Sequence, residues 1–394
     1  MLGKERFTTM PRTTGTYRTF TTAGEGAEAF VPHPLPPKNP ALRTVGAIDR
    51  LLGEAMTGLA RLEVAGRMVP STGWFLYGFV RKEAVISSQM EGTQATLREV
   101  VTFEATKEAA QPHDVEEVCN YVDAIVYARA ELVRFNGLPV STRLLCEAHR
   151  RLMRGVRGGD KAPGKIRTTQ NWIGGTRPGN AKFVPPPPED VTEAMTRLEK
   201  WIHSNDPLPP LIKAGLAHVQ FETIHPFLDG NGRIGRLLIA LLLEHWKLLP
   251  APLLYLSLAF KRHQSEYYAR LAAVRTDGDW EGWTTFYLDC VREAANDGVE
   301  VAGRLFELMG KDRRRLAAAK RSTVAAIQLL DVLPEHPVVT VPRVAKLLKI
   351  TAPTARKAVE IAAEAGILRE TSGKQRDRVF AYHKYLQILV GDEG

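Results

Sequence analysis

Cysteines, long apolar runs and an apolar leader are scarce or missing in this sequence. Its three cysteines, Cys119, Cys146 and Cys290, are odd in number and widely spaced, which argues against a disulfide framework and against a zinc site. The longest all-aliphatic run, Leu237–Leu243, is far shorter than the ~20 residues of a membrane helix. The N-terminal segment MLGKERFTTMPRTTG lacks the apolar stretch of a secretory signal. We therefore expect a cytoplasmic protein in a reducing compartment, with no membrane association.

The chain also lacks a Walker A pattern and any fixed-period repeat. Most of its length instead carries apolar residues at helical spacing, so we expect a mainly α fold. Residues 165–191 (KIRTTQNWIGGTRPGNAKFVPPPPEDV) are the exception, because Gly-Gly, Pro-Gly-Asn and four prolines predict a short β-hairpin flap between helices. The polar residues 1–29 are expected to be partly mobile, and the proline-rich residues 30–40 to be extended.

The basic charge of the chain is concentrated near its C-terminus. Residues 311–390 carry 16 Lys and Arg but only 7 Asp and Glu, whereas the rest of the chain has 37 of each. Within residues 322–385, three helical patterns are followed by ETSGKQRDRVFAYHKY, which suits a two-stranded wing with a polar tip. This order predicts a winged-helix domain. Residues 322–385 are therefore a candidate site for duplex DNA, with a packing or dimerisation domain as the alternative.

The segment HPFLDGNGRIGR, residues 225–236, concentrates several chemical functions in one loop. A helix that begins near Asn231 directs unpaired N–H groups and the positive end of its dipole into the loop. Gly230 and Gly232 allow the backbone to approach a phosphate closely. The Asn231 amide adds a donor, and Arg233 and Arg236, three residues apart, can reach the same ligand. The loop therefore predicts a di- or triphosphate cradle.

Two further residues of this loop add chemistry to the cradle. Asp229 suits Mg²⁺ held between one carboxylate and phosphate oxygens. His225 supplies a side chain that ordinarily titrates near neutrality and suits a general base. A plain β-turn with a structural histidine is the alternative interpretation. The joint arrangement in front of an apolar helix argues against it.

HPFLDGNGRIGR matches the Fic-domain pattern HPF-x-(D/E)-GNGR-x-x-R at every specified position. Residues 110–290 resemble the helical Fic core, KIRTTQNWIGG resembles the flap of that family, and FVPHPLPP resembles an N-terminal extension of one branch. The resemblance implies a Fic helical core with a short β-hairpin flap and a C-terminal winged-helix domain. The domain boundaries that follow are an N-terminal extension with an inhibitory helix (1–109), a Fic core (110–290), a linker helix (291–321) and a winged-helix-like domain (322–394).

The resemblance also implies a reaction, in which AMP passes from ATP, with Mg²⁺, to the hydroxyl of a Ser, Thr or Tyr side chain. It makes His225 the base and Asp229 the metal ligand. The remaining nucleotide-binding residues that it implies are Gly230, Asn231, Gly232, Arg233, Arg236 and Tyr268. Position 232 is Gly, as in AMP-transferring members, whereas a kinase-like branch carries Lys there. The motif leaves other nucleotide donors open.

The flap and Tyr268 are assigned by the same resemblance. The flap is expected to bind the target protein by adding a strand through main-chain hydrogen bonds. Ile166, Thr168 and Thr169 are the expected contacts. Tyr268 resembles the aromatic position near the adenine pocket, and a core aromatic is the alternative for it.

SSQMEG, residues 87–92, resembles the inhibitory signature (S/T)-x-x-x-E-(G/N) of one Fic branch. The resemblance implies that Glu91 pairs with Arg236, which removes a cation from the γ-phosphate. Ser87 is expected to help position this inhibitory helix. A surface glutamate at a helix end is the alternative. In some relatives the same glutamate supports removal of AMP, which leaves a deAMPylase reading open.

A second class of function is a DNA-binding transcriptional regulator whose Fic core only senses nucleotide. The intact base, metal ligand and arginines favour an enzyme, whereas the basic C-terminal segment favours DNA. Homodimers occur in the resembled family. The sequence leaves the oligomeric state and the target protein open.

Overall fold

The structure of this chain is a computed structural model that describes residues 12–22, 24–68, 72–109, 111–156 and 159–391. It is mainly helical, which confirms the predicted fold class at that level. The α-helices are α1 (Ala47–Met68), α2 (Thr72–Gln89), α3 (Leu97–Thr106), α4 (Pro112–Val133), α5 (Thr142–Leu152), α6 (Pro188–Ile202), α7 (Pro210–Ile224), α8 (Asn231–His245), α9 (Leu256–Arg262), α10 (Gln264–Thr276), α11 (Trp280–Ala318), α12 (Val324–Val332), α13 (Val341–Leu348), α14 (Ala352–Glu364) and α15 (His383–Val390). No helix within the described ranges is both long and apolar enough to cross a membrane.

Five short strands complete the secondary structure of the described ranges. They are β1 (Gly15–Thr22), β2 (Glu25–Pro32), β3 (Val338–Thr340), β4 (Arg369–Glu370) and β5 (Val379–Ala381). β1 and β2 pair antiparallel, and the other three strands form an antiparallel sheet in the order β3-β5-β4.

The chain divides into two compact units. The first unit consists of Met1–Leu59, Asp123–Pro250 and Leu256–Glu293. The second unit consists of Ala60–Val122, Ala251–Tyr255 and Ala294–Gly394.

The core of the first unit is built around α7 and α8, which pack against each other. Nearly every residue of α7 is buried, including polar ones such as His218, and α8 is buried along most of its length. Because each fully buried Leu or Ile contributes about 1.5–3 kcal/mol, two such helices form a rigid support for the loop between them. α6 packs against α7, and α5 packs against α8.

The β1–β2 hairpin was not expected from the sequence. Its register runs from Gly15 opposite Pro32 to Thr22 opposite Glu25. Within residues 1–29, which were expected to be partly mobile, the structure instead places residues 15–22 and 25–29 in strands, and residues 1–11 and 23 lie outside the described ranges. The threonines of this segment suggested a flexible tail, yet β-branched residues favour strands. Phe30 is buried and its N–H donates to the Val184 carbonyl, which anchors the hairpin.

The flap segment, residues 165–191, is a loop rather than a regular hairpin. One antiparallel bridge joins Ile173 to Phe183, and Pro178–Asn180 form a short 3-10 helix between them. Gly174 and Gly175 both have positive φ. Four consecutive prolines from 185 to 188 provide no N–H groups, so longer pairing is not available.

The C-terminal part of the second unit has a small core of its own. β3 lies between α12 and α13, and β4 and β5 follow α14. α12, α13 and α14 pack on one another. Their contacts bury Leu329, Val344 and Ala358, and Phe380 of β5 is also buried.

Candidate functional site

The candidate site is the loop between α7 and α8. His225 ends α7 in a left-handed conformation (φ 51°), and its N–H donates to the Phe221 carbonyl at 2.9 Å. Gly230 precedes α8 with φ 76°, a conformation that favours glycine. The N–H groups in the first turn of α8 have no carbonyl partner within the helix. The predicted start of this helix at Asn231 is confirmed, and with it the open helix N-terminus.

The loop is closed by the Asn231 side chain. Its Oδ1 accepts from the Phe227 N–H and its Nδ2 donates to the Phe227 carbonyl, both at 2.8 Å. Both ends of the amide therefore hold the backbone in this arrangement. A role for Asn231 in binding phosphate stays a prediction.

Two buried arginines place positive charge beside this open helix end. Arg233 is 2% exposed and Arg236 is 4% exposed. Arginine keeps its charge even when buried and presents a planar set of donors that suits phosphate oxygens. A role for these two arginines and for the N–H groups of the first turn in binding a polyanion stays a prediction.

Asp229 lies at the mouth of the loop with its side chain 45% exposed. Its Oδ1 accepts from the Gly230 N–H at 2.6 Å and lies 4.0 Å from the Arg233 guanidinium. No group of three potential metal ligands occurs within the described ranges. A single open carboxylate nevertheless fits Mg²⁺, which usually takes one or two carboxylates and completes its shell with phosphate oxygens and water.

His149, which the sequence did not identify, positions the loop from α5. Its Nδ1 accepts from the Gly164 N–H at 2.8 Å, so its Nε2 carries the proton and donates to the Asp229 carbonyl at 3.0 Å. Its ring stacks on Phe227 with centroids 3.9 Å apart. Burial lowers the pKa of His149 to about 4, because the charged form loses solvation, and Arg233 adds to this effect. His149 is therefore neutral at pH 7 and fixed in one tautomer.

Arg167, also not identified from the sequence, joins the flap to the loop. It is 2% exposed, and its side chain donates to the carbonyls of His225, Thr169 and Pro186. Its own N–H donates to the Pro226 carbonyl at 2.9 Å. Burial lowers the pKa of Arg167 to about 10, so the group stays charged at neutral pH. The candidate target-binding residues Ile166, Thr168 and Thr169 flank this anchor, which keeps them near His225.

The Arg167 anchor leads to a stability prediction. Replacing Arg167 by Lys is expected to lower the free energy of unfolding by about 1–3 kcal/mol, because one ammonium group cannot reach all the buried carbonyls that the guanidinium satisfies. Urea unfolding followed by tryptophan fluorescence measures this change. Arg197→Lys on the exposed face of α6 is the matched control. A loss no larger than in that control would contradict the anchoring role.

Tyr268 and its neighbour Tyr267 have different environments on α10. Tyr268 is 47% exposed, whereas Tyr267 is buried. The two rings meet edge to face with centroids 5.1 Å apart. Tyr267 is therefore the core aromatic of the pair, and Tyr268 has a ring surface open to a ligand. The adenine-binding role of Tyr268 stays a prediction.

His218 connects Tyr267 to α8. Its Nδ1 donates to the Gly235 carbonyl at 2.9 Å, since a carbonyl only accepts, and its Nε2 accepts from the Tyr267 hydroxyl at 2.8 Å. Full burial lowers the pKa of His218 to about 3. This second neutral histidine holds the helix that carries Arg233 and Arg236.

The candidate inhibitory residues lie in the second unit. Ser87 is fully buried in α2, and its hydroxyl is 3.5 Å from the Tyr121 hydroxyl. The helix ends at Gln89, so Glu91 lies in the turn that follows. Gly92 has φ 95° there.

Two hydrogen bonds to α4 fix the turn after α2. The buried Thr93 hydroxyl donates to the Glu117 carboxylate at 3.1 Å, and the Gln94 N–H donates to the Asp114 carboxylate at 2.7 Å. The position of Glu91 within its own unit is therefore well defined.

No short pattern marked His149 or Arg167. His149 lies beside Arg150 and Arg151 in the last turn of α5, a sequence context that is also typical of a solvated helix end. Arg167 lies between the expected flap contacts Ile166 and Thr168, and its partners are backbone carbonyls that no sequence pattern marks. An arginine directly between the β-branched residues Ile166 and Thr168 is a weak local signal for such an anchor.

Two protein-family models match separate segments of this chain. The model of the Fic/DOC family matches residues 139–243, and that of the Fic/DOC family N-terminal region matches residues 50–130. Proteins named protein adenylyltransferase Fic are 31% identical over 212 residues in Drosophila grimshawi and 31% identical over 219 residues in Culex quinquefasciatus. These matches cover 52% and 53% of this chain, but only 40% of each relative.

Solved structures show the same fold. A Fic family protein from Desulfovibrio desulfuricans G20 superposes with a TM-score of 0.56 at 23% identity, over 86% of this chain and 97% of that one. Fic-1 from C. elegans superposes with a TM-score of 0.51 at 22% identity, over 65% of this chain and 73% of that one.

Proposed function

We propose, on the premise of a Fic domain at residues 139–243 and a Fic N-terminal region at residues 50–130, that this chain is a protein adenylyltransferase. It transfers AMP from ATP to a Ser, Thr or Tyr hydroxyl of a target protein or of itself. The observation that carries this proposal is the α7–α8 loop. There an open helix N-terminus, the buried Arg233 and Arg236 and the candidate base His225 occur within 12 residues.

In the proposed step, His225 removes the proton from the target hydroxyl. The hydroxyl oxygen attacks the α-phosphorus of ATP, the bond from that phosphorus to the α,β-bridging oxygen breaks, and pyrophosphate leaves. The proton stays on the His225 ring. Its Nδ1 is buried, which leaves Nε2 to meet the hydroxyl. Phosphoryl-type transfer depends mainly on positioning and on charge stabilisation, and a rigid loop supplies the positioning.

In this proposal the other residues around the loop bind the phosphates, hold the metal ion or position the backbone. Arg233, Arg236 and the N–H groups of the first turn of α8 hold the phosphates and stabilise the charge on the leaving pyrophosphate. Asp229 would hold Mg²⁺, whose charge offsets that of the phosphates. His149 and Arg167 do not touch the substrate and instead keep the backbone around His225 and Asp229 in position.

The flap segment supplies the target-binding edge in this proposal. Arg167 and Asn171 both donate to carbonyls of the 225–230 loop, which ties the flap to the reacting centre. A target segment that adds along Ile166, Thr168 and Thr169 would therefore present its hydroxyl near His225. Main-chain pairing requires little sequence specificity, so several targets fit this mode.

Glu91 acts as a brake in this proposal. A carboxylate that pairs with Arg236 would remove one cation from the γ-phosphate and repel the phosphate itself. The support for this role is the match of residues 87–92 to the inhibitory signature; within its own unit, the turn that carries Glu91 is held by the hydrogen bonds of Thr93 and Gln94. The resting enzyme would then bind ATP in an unproductive pose.

Incubation with ATP labelled on the α- or the γ-phosphate, in the presence of Mg²⁺ and cell lysate, tests the proposed function. The α label is expected to become bound to protein and the γ label is not. Glu91→Gly is expected to raise α-label incorporation at least about tenfold over the wild type, the factor that corresponds to 1.4 kcal/mol. Glu91→Gln is the matched variant, because it removes the charge but keeps the side-chain size.

Each outcome of that experiment has a defined meaning. Activation by both Glu91 variants supports an electrostatic brake, whereas activation by Glu91→Gly alone would assign the effect to the backbone. Incorporation of the γ label would mean kinase chemistry. No label in any variant, with ATP binding retained, would overturn the ATP-dependent transferase and leave a nucleotide-sensing domain.

Removal of AMP is the second reaction that the same site supports. Glu91 would then orient water for attack on an AMP-modified hydroxyl. A wild-type chain that releases AMP from α-labelled protein, while Glu91→Gln does not, would favour this direction.

We also propose that residues 322–394 form a winged-helix-like domain. The order α12, β3, α13, α14, β4, β5 and the antiparallel sheet β3-β5-β4 support this assignment. Such a domain could pack, dimerise or bind duplex DNA, the partner that the charge distribution favours.

A further inference from the structure

α13 and α14 form a helix-turn-helix with a short, well-defined turn. Lys349 ends α13 in a left-handed conformation (φ 54°), and Thr351 caps α14 by accepting from the Thr354 N–H. One face of α14 buries Ala355 and Val359 in the core of the second unit. The helix is therefore held firmly with its opposite face outward.

The exposed face of α14 is polarised along its length. Arg356 and Lys357 lie in its N-terminal half, and Glu360 and Glu364 lie in its C-terminal half. Arg321 lines a surface cavity of about 450 Å³ along this face, together with Arg356, Lys357, Glu360 and Glu364, and adds a third cation to it. The positive end of the helix dipole lies at this same end. The surface thus attracts anions at the N-terminal half of α14 and repels them at the other half.

The loop between β4 and β5 is a second basic element. Residues 373–378 are exposed, Arg376 and Arg378 among them, and the Arg378 guanidinium lies 5.1 Å from the centroid of the Phe380 ring. The Glu370 carboxylate accepts from the Ser372 and Gly373 N–H groups, which fixes the start of the loop. A hydrogen bond from the Ser372 hydroxyl, together with those from the two N–H groups, lowers the pKa of Glu370, so that it stays ionised while it holds the turn.

This part of the chain lacks what single-stranded nucleic acid needs. Its aromatic side chains Phe380, Tyr382 and Tyr385 are all buried. Among the described residues from 319 onward, none offers an exposed aromatic ring for a base to stack on. A firmly held helix with a basic N-terminal half suits a major groove, where the N-terminal residues of a recognition helix meet base edges.

We propose that residues 321–390 bind duplex DNA, with the N-terminal half of α14 in the major groove and the β4–β5 loop against the neighbouring phosphates. Arg356, Lys357 and Arg321 contact the groove and its backbone on one side. Arg376 and Arg378 contact the backbone from the loop. The acidic end of α14 points away from the DNA. This inference rests on the second unit alone and holds whether or not the first unit transfers AMP.

Fluorescence anisotropy of the full chain with a labelled 30-base-pair duplex of mixed sequence tests the proposal. If each of these five cations neutralises one phosphate, log K falls against log salt concentration with a slope of about −4.5. Affinity then drops roughly 500-fold between 50 and 200 mM salt. Replacing Arg356 and Lys357 together by Ala is expected to reduce the slope to about −2.7 and the drop to roughly 40-fold. Unlabelled single strands of the same length should compete poorly.

The matched control combines Arg197→Ala with Lys200→Ala on the exposed face of α6. It removes the same amount of positive charge, but from the first unit. It should leave the slope near −4.5. The proposal would be overturned by binding that does not depend on salt, by an equal change of slope in the control, or by equally strong competition from single strands. Binding to an acidic polypeptide such as polyglutamate in preference to the duplex would likewise overturn it in favour of a protein partner.

Discussion

Replacing His225 by Ala in the Glu91→Gly background is expected to reduce transfer of α-labelled AMP by about 100- to 10,000-fold. This is the range that a positioned general base contributes. The phosphate cradle does not depend on the imidazole, since Asn231 closes the loop and the arginines lie on α8. ATP binding should therefore change little while transfer is lost. Measuring label incorporation and ATP affinity on the same preparation separates the two effects.

His263→Ala in the same background is the matched control for this substitution. Its side chain is 46% exposed and pairs with Glu293 on α11. Full labelling in this control and loss in His225→Ala would assign the proton transfer to one imidazole. Labelling above one tenth of the parent in His225→Ala would refute the general base, and the cradle alone would then account for the rate.

Much of the candidate site could be predicted because its parts are local. The start of α8, the glycine with positive φ and the placement of both arginines follow from residues that are close in the chain. The mainly helical fold could be predicted in the same way, because apolar residues at helical spacing are also a local signal.

The residues that hold the site together could not be found in this way. His149 bonds to the Asp229 carbonyl 80 residues away, and Arg167 bonds to the His225 carbonyl 58 residues away. A side chain that binds backbone carbonyls leaves no complementary residue type for a pattern to detect. The β1–β2 hairpin was missed for a related reason, because its anchor is the Val184 carbonyl. Local sequence patterns therefore indicated which residues could carry the chemistry. The rigidity of the site comes from long-range hydrogen bonds to the backbone, which such patterns do not reveal.

Lowering the pH is expected to reduce the free energy of unfolding, because the two buried histidines His149 and His218 are neutral in the folded protein. The pKa of His149 is lowered to about 4 and that of His218 to about 3, against about 6.5 in an unfolded chain. A depressed pKa means that the unfolded chain binds more protons between these values, so stability is full above pH 6.5 and falls as the pH drops. Each histidine contributes up to about 1.4 kcal/mol per pH unit, which is up to about 3 kcal/mol for His149 by pH 4.

His149→Gln separates this effect from the protonation of carboxylates. Glutamine can accept from the Gly164 N–H or donate to the Asp229 carbonyl but does not titrate. Urea unfolding of the wild type and the variant at pH values from 7.5 to 4.5 gives the difference between their free energies of unfolding. Because both proteins share all other titratable groups, the contributions of those groups cancel in this difference. The variant is expected to be the less stable protein at pH 7.5 and to gain on the wild type below pH 6.5. His263→Gln is the control at a half-exposed position. A constant difference for His149→Gln across the pH range would show that this ring is not held neutral, and the fixed tautomer that positions Asp229 would have to be abandoned.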